Sequence, residues 1–107
     1  MSKIEYNKLV RDHIPQIILE SGKKCVTAVL SEVDYQRALE QKMEEEIAEY
    51  RASHELEELA DLMEVVIATA EAMGYSLEEL EAVRIKKKNS RGGFSQRIFL
   101  ESVSEDT

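Results

Sequence analysis

Two clusters of carboxylates interleaved with apolar residues constrain this chain more than any other feature. Residues 44–61 read EEEIAEYRASHELEELAD, with acidic residues at helical spacing on both sides of Ser53. The helix that carries the first cluster has one narrow stripe that is apolar except for glutamate, at about 100° per residue. The stripe contains Leu39, Met43, Glu46 and Tyr50, with Glu49 at its edge. Because a buried, unpaired carboxylate is costly, a glutamate between core positions predicts a partner for its charge.

The second cluster has the same form. Glu58 and Asp61 share a helix side with Leu62 and Val65, and that side is apolar from there onward. Each of the two helices therefore presents an acidic pair, three residues apart, on a face that otherwise packs.

Whether the two pairs meet depends on the chain near Ser53. In one continuous helix, Glu46 and Glu58 would lie about 18 Å apart. A turn there, with Ser53 as the N-cap of the next helix, predicts an antiparallel helical hairpin instead. Glu49 and Glu58 are then equidistant from its midpoint. The same holds for Glu46 and Asp61, so the hairpin sets the two pairs opposite each other.

Four converging carboxylates would repel one another strongly, and a divalent cation is the natural counterion. Ligands that are all oxygen favour Mg²⁺, Mn²⁺ or Ca²⁺ over zinc. A di-iron site would need Glu-x-x-His pairs, and His54 lies in the predicted turn, where we expect a surface position. Acidic pairs at this spacing are also common on solvated helices, so the residues alone leave both interpretations open.

The remaining local signals predict an all-α fold. Residues 7–21 have a helical pattern in which Pro15 marks a break or a new helix start, and Ser21-Gly22 ends it. Three further helices are predicted: from the cap Ser31 to about Ala52, from about Ser53 to Met73, and from the capping box of Ser76 and Glu79 to about Ser90. Residues 25–30 and 96–103 predict two short strands that pair as a small β appendage.

The third predicted helix is apolar on nearly all sides. Between Leu62 and Met73, Glu64 and Glu71 are the only charged residues. Such a helix must be buried on more than one side. Four short helices cannot do this alone, so we expect an antiparallel bundle completed by oligomerisation, as a homodimer or homotetramer.

Composition and charge argue against several classes of function. A formal net charge of −8 disfavours binding to a nucleic acid polymer or to an anionic membrane. No apolar run has the length of a membrane span, and the single cysteine, Cys25, fits a cytoplasmic location. With 107 residues and 43% hydrophobic content, the chain is expected to form a single domain over residues 1–107, with about 103–107 as a frayed tail.

The charge is unevenly distributed along the chain. Residues 40–81 contain 14 of the 22 acidic residues and only Lys42 and Arg51 among the basic ones. Residues 84–97 contain six basic residues and no acidic residue. The sequence therefore predicts that the first region binds a cation and the second an anion.

The ExxE motif at 46–49 and the ExxD motif at 58–61 resemble the signature of the MazG-like all-α nucleoside triphosphate pyrophosphohydrolases. That superfamily includes phosphoribosyl-ATP pyrophosphohydrolase and the dimeric dUTPases. KMEEE at 42–46 is similar to the lead-in of the family motif. Blocks similar to a compact subgroup of predicted house-cleaning enzymes cover nearly the whole chain, namely YNKLVRDHIP (6–15), EELADLMEVV (57–66) and KKKNSRGGF (86–94).

The resemblance implies Mg²⁺-dependent hydrolysis between the α- and β-phosphates of a nucleoside triphosphate, with Mn²⁺ as an alternative ion. The implied metal ligands are Glu46, Glu49, Glu58 and Asp61. The catalytic set adds Glu45, because this neighbour or a metal-site carboxylate would accept the proton of the attacking water. The residues expected to bind substrate are Asn7, Lys8, Arg11, Lys87, Lys88, Arg91 and Phe94.

Structural alternatives exist for these substrate residues. Lys87 and Lys88 also suit a basic helix C-terminus, Phe94 a core anchor for the C-terminal segment, and Asn7 a local turn. Two positions depart from the family pattern: only eight residues separate Glu49 from Glu58, and His13 stands where the subgroup has lysine. Alternative functions are phosphoribosyl-ATP pyrophosphohydrolase of histidine biosynthesis and a non-catalytic helical interaction module.

Overall fold

Four α-helices make up the regular secondary structure of the computed structural model, which describes residues 2–105. In chain order they are α1 (Ile14–Glu20), α2 (Glu32–Ser53), α3 (Leu56–Ala72) and α4 (Leu77–Arg91). The predicted all-α fold is confirmed. No helix in the described range is long and apolar enough to cross a membrane.

The two predicted strands are not formed in the single chain. Across residues 2–105 no strand is present, and 25–30 and 96–103 have irregular backbone. Their pairing as a β appendage stays a prediction. The predicted frayed tail at 103–107 includes residues 106 and 107, which lie outside the described range.

Helix α1 begins and ends where the sequence indicates. Pro15 lies in its first turn, where a missing N–H leaves no intrahelical hydrogen bond unmade. Ser21 is the C-cap, and Gly22 follows with φ of 86°, a left-handed conformation that glycine adopts without steric cost. The helical pattern before Pro15 is not realised, since residues 7–11 have no regular structure.

Helix α2 is capped by Ser31, whose hydroxyl oxygen accepts a hydrogen bond from the backbone N–H of Asp34 at 3.2 Å. The helix continues to Ser53, one residue beyond the predicted end. His54 then takes a left-handed conformation with φ of 54°, and its N–H donates to the Tyr50 carbonyl at 2.7 Å. His54 is exposed, as predicted.

The turn between α2 and α3 is confirmed, but the residue predicted to cap α3 is wrong. Glu55 is the N-cap of α3 and makes no side-chain cap hydrogen bond. Ser53 belongs to α2, and its hydroxyl oxygen accepts from the Glu55 N–H at 3.3 Å. The left-handed conformation of His54 reverses the chain direction, so two residues, His54 and Glu55, connect the helices. Ser53 therefore lies at the end of α2 and not at the start of α3.

The α2–α3 hairpin is antiparallel and holds the core of the chain. Near its open end the Gln36 side-chain amide donates to the Ala72 carbonyl at 3.3 Å, so the start of α2 lies beside the end of α3. Leu39 of α2 and Val65 of α3 are buried between the helices, at 3% and 8% exposure. The hairpin thus keeps a nearly mirror-symmetric register along its whole length.

Helix α4 packs against α3 and makes no helix contact with α2. Its N-terminus carries the predicted capping box: Ser76 accepts from the Glu79 N–H at 3.1 Å, and the Glu79 carboxylate accepts from the Ser76 N–H at 3.3 Å. Gly74, with φ of 94°, separates α3 from this box, as predicted.

The chain is elongated, and much of its apolar surface is uncovered. Its radius of gyration is 19.0 Å, whereas a compact chain of this size has about 13 Å. Large apolar side chains of α3, including Leu56, Met63 and Val66, are exposed. The apolar circumference of α3 is therefore buried on the α2 side and only partly elsewhere.

Candidate metal centre

Three carboxylates from the two hairpin helices converge at one place. One oxygen from each of Glu46, Glu58 and Asp61 lies within 4.8 Å of the others. Helix α2 supplies the first residue and α3 the other two. The hairpin register predicted from the sequence is confirmed, because Glu46 and Asp61 are one of the two pairs expected to face each other.

The cluster contains carboxylate oxygens that are buried without a partner. Glu46 is 5% exposed, and its Oε2 atom has no hydrogen-bond partner among residues 2–105. The Oε2 atom of Glu58 is likewise buried and unpartnered. Leaving such atoms unsatisfied costs free energy, since they have lost their hydration. A cation or a hydrogen-bond donor at this place would satisfy both oxygens.

Glu49, the fourth predicted ligand, lies beside the three converging carboxylates and is exposed. Its charge acts on both Glu46 and Glu58. Glu49 is therefore a neighbour of Glu58 across the hairpin, but it is not one of the three residues whose oxygens converge.

The pKa values of two cluster residues lie above the ordinary glutamate value. Burial raises the pKa of Glu46, and the nearby charge of Glu49 raises it further, against an opposing effect of Lys42. Burial and the charges of Glu49 and Asp61 raise the pKa of Glu58. Both pKa values are raised because the carboxylates are poorly solvated and repel one another.

The residues fit a hard divalent cation. All donors are carboxylate oxygens, the set that Mg²⁺, Mn²⁺ and Ca²⁺ prefer, with metal–oxygen distances of about 2.0–2.6 Å. Oxygens on opposite sides of one such ion lie about 4–5 Å apart by these distances, which matches the span of the cluster. The unpartnered oxygens of Glu46 and Glu58 are the atoms such an ion would satisfy.

The N-terminal segment contributes two cations to the rim of this centre. Lys8 Nζ lies 2.8 Å from Glu45 Oε1, and Arg11 Nη2 lies 2.7 Å from Asp61 Oδ1. The hydrogen bond to Glu45 raises the pKa of Lys8. Asn7, just before them, has a left-handed φ of 46° and is exposed, which fits the turn role. Two predicted phosphate-binding residues are thus placed beside the acidic cluster.

Glu45 is already paired through both of its oxygens. Oε1 accepts from Lys8 at 2.8 Å and Oε2 accepts from Lys42 at 3.2 Å. Burial raises the pKa of Glu45, but these two hydrogen bonds outweigh it and leave the pKa below its ordinary value. A strongly paired carboxylate of low pKa is poorly suited to accept a proton, which disfavours Glu45 as the general base.

The predicted substrate residues at the C-terminal end belong to α4 and to the segment after it. Lys88 and Arg91 are in the last turn of α4, where they complement the helix dipole, and Lys87 precedes them. In residues 2–105 no ion pair joins the three to the acidic cluster. Phe94 is 98% exposed, so its alternative role as a core anchor is not realised in the single chain.

Lys42 is a site residue that the sequence prediction did not include. Its Nζ atom lies 3.2 Å from Glu45 Oε2 and 3.4 Å from Glu46 Oε1, and its side chain is 16% exposed. Lys42 precedes Glu45 by three residues and Glu46 by four, and residues at these spacings are neighbours on a helix surface. The helical stripe does not tell which of several nearby glutamates a lysine contacts.

Comparison with known proteins provides one partial relative. An uncharacterized protein of Mycolicibacterium smegmatis (strain ATCC 700084 / mc(2)155) is 48% identical over 46 residues. The matching stretch covers 43% of this chain and 47% of the relative, so the similarity spans about half the length of each. No family model and no solved structure matches the chain.

Proposed function

We propose that this protein is a Mg²⁺-dependent nucleoside triphosphate pyrophosphohydrolase of the MazG-like superfamily. It would cleave between the α- and β-phosphates, release pyrophosphate and clear non-canonical nucleotides. The observation that carries this proposal is a three-carboxylate cluster across the α2–α3 hairpin, in which two buried oxygens have no partner. The family blocks in the sequence add the reaction class.

Each group of the site has a role in this reaction. Glu46, Glu49, Glu58 and Asp61 hold the metal, which when bound would neutralise phosphate oxygens and activate water. The proton of that water goes to a carboxylate of this cluster, because Glu45 already accepts hydrogen bonds from two lysines.

Phosphate binding falls to cations that already lie at the rim. Lys8 and Arg11 face the carboxylates closely enough to exchange them for phosphate oxygens when substrate arrives. We assign Lys87, Lys88, Arg91 and Phe94 to the same substrate, contributed by α4 and the segment after it.

We further propose that the protein is a cytoplasmic homodimer or homotetramer. The exposed apolar residues of α3 and the radius of gyration of 19.0 Å support association, since a chain of this size buries more apolar surface when compact. Residues 25–30 and 96–103 would then pair as strands, because Val26, Val29 and Phe99 are exposed apolar residues with high β propensity. Sedimentation equilibrium tests this proposal, and a monomer at assay concentration would contradict it.

The decisive assay incubates the full chain with Mg²⁺ and a panel of canonical and modified nucleoside triphosphates, and measures pyrophosphate. We expect release from at least one of them, and a loss of about 100-fold or more in Glu58→Gln, because the variant lacks a metal ligand. Glu57→Gln, an exposed neighbour on the same helix, is the matched control and should retain activity. No release from any nucleotide would refute the proposal.

The alternatives make different predictions in the same experiment. Phosphoribosyl-ATP added to the panel tests the enzyme of histidine biosynthesis, and preferential turnover of that compound would favour it. A non-catalytic interaction module is favoured by the exposed apolar surface of α3. Calorimetry separates it from the enzyme, because a module should bind no Mg²⁺ at millimolar concentration.

A further inference from the structure

Lys42 is the most buried cation in the neighbourhood of the carboxylate cluster. Its side chain is 16% exposed, compared with 39% for Lys8 and 56% for Arg11. It lies on α2, one turn before Glu45 and Glu46, and contacts both of them. A lysine this buried has lost much of its hydration, so these two carboxylates fix its position.

The contacts of Lys42 distinguish the two oxygens of Glu46. Oε1 lies 3.4 Å from the Lys42 ammonium, whereas Oε2 is buried and has no partner. One oxygen is therefore neutralised within the chain, and the other remains for a ligand from outside. Glu45 differs, because both of its oxygens are taken by lysines.

We propose that Lys42 is a positioning residue of the metal centre: it holds Glu46 through Oε1 so that Oε2 is left as the metal ligand. The inference rests on the proposed function, because it assigns the cluster to a divalent cation. Lys42 also joins Glu46 to Glu45 and hence to Lys8, which forms a continuous line of ion pairs from the N-terminal segment to the metal centre. Partners that orient metal ligands typically change metal affinity 10- to 100-fold.

The direction in which cation affinity changes when Lys42 is removed distinguishes a positioning role from a purely electrostatic one. If Lys42 acted only through its positive charge, its removal would strengthen the binding of a divalent cation, because like charges repel. If it positions Glu46, its removal leaves a buried carboxylate free to turn or to take up a proton, and binding weakens. The two accounts predict opposite changes.

The test measures Mn²⁺ binding to the full chain by isothermal titration calorimetry. We expect Lys42→Met to weaken binding by about 10- to 100-fold, and Lys42→Arg to stay within about threefold of the wild type, because the guanidinium retains a charged donor. Arg37→Met is the control: it removes a positive charge from an exposed position of the same helix that has no ion pair among the described residues. Mn²⁺ binding to this variant should change little.

Two results would overturn the inference alone: unchanged or tighter Mn²⁺ binding in Lys42→Met, or an equal loss in Lys42→Arg and Lys42→Met. A wild-type chain that binds no Mn²⁺ would overturn the proposed metal centre together with it. The two failures are therefore distinguishable.

A second measurement does not depend on the metal. Urea unfolding of the metal-free wild type, Lys42→Met, Glu46→Gln and the double variant gives the coupling between the two side chains. We expect coupling that changes the unfolding equilibrium constant at least about threefold, as for residues in direct contact. Additive effects of the two substitutions would contradict the proposed contact. If Lys42→Met is too unstable, Lys42→Gln replaces it in both measurements.

Discussion

The α2–α3 hairpin and the region from α4 to the C-terminus differ in charge and in the way the chain holds them. The hairpin is acidic, encloses the buried Leu39 and Val65, and brings three carboxylates together. In the C-terminal region, residues 84–97 hold six basic residues and no acidic one, helix α4 packs against α3, and the segment after α4 exposes the apolar residues Phe99 and Leu100. The two helices of the hairpin bury apolar side chains against each other, whereas apolar side chains of the C-terminal region are exposed in the single chain.

The comparison indicates which part of the proposed enzyme is complete in one chain. The proposed metal ligands lie on adjacent helices that a two-residue turn connects, so the single chain brings three of them together. The basic residues of α4 have no such constraint toward the acidic cluster. Under the proposed function, the contribution of α4 to substrate binding is therefore the part that we expect to depend on association.

The largest effect is expected in the hairpin core. Leu39→Ala should lower the free energy of unfolding by about 2–5 kcal/mol, because it removes a buried side chain and leaves a cavity. Leu100→Ala, at an exposed position, should change the unfolding free energy of a monomer by less than about 0.5 kcal/mol. Urea unfolding measures both. A large effect at Leu100 would show that association covers the C-terminal segment.

A divalent cation should stabilise the hairpin through the same carboxylates. At a Mg²⁺ concentration 100 times the dissociation constant, the unfolding free energy should rise by about 2.7 kcal/mol, since only the folded chain brings the ligands together. The gain should disappear in Glu58→Gln and persist in Glu57→Gln. Thermal unfolding with and without Mg²⁺ measures it, and equal gains in both variants would remove the cluster from consideration as the binding site.

The cations from the two regions should contribute unequally to substrate binding. Arg11→Met should raise KM about tenfold, because about 1.4 kcal/mol is typical of a charge-assisted hydrogen bond to phosphate. Arg91→Met should have a similar effect only if α4 approaches the centre in an oligomer. Lys23→Met, an exposed position outside both regions, is the control. Steady-state kinetics over a range of protein concentrations separates the intrachain contribution from the interchain one.

The smallest effect is a pH dependence of metal-free stability. The folded pKa of Glu58 is raised above its ordinary value of 4.5, so the folded state holds the proton to higher pH than the unfolded state does. The stability contributed by this group should fall as pH rises from 4.5 through the raised pKa. Compared with Glu58→Gln, the wild type should therefore lose unfolding free energy over that window when no metal ion is present. A difference of opposite sign would contradict the raised pKa.

Local sequence signals predicted much of the fold. Capping residues and glycines placed three helices to within one to three residues at each end, because they act on the nearest backbone groups. The register of Glu46 against Asp61 followed from counting residues on either side of the turn. The cap of α3 was missed, since a left-handed His54 is one of several ways to reverse a chain and the sequence does not single it out.

Contacts between distant segments were beyond local reasoning. The sequence alone determined an all-α chain with a hairpin that sets two acidic pairs opposite each other, because helical periodicity and chain connectivity are local properties. Only the tertiary structure decided that Lys8 and Arg11 contact Glu45 and Asp61, and that Lys42 pairs with one oxygen of Glu46 and leaves the other unpartnered. Those choices depend on how side chains share space and charge once the helices pack, and no spacing along the chain encodes them.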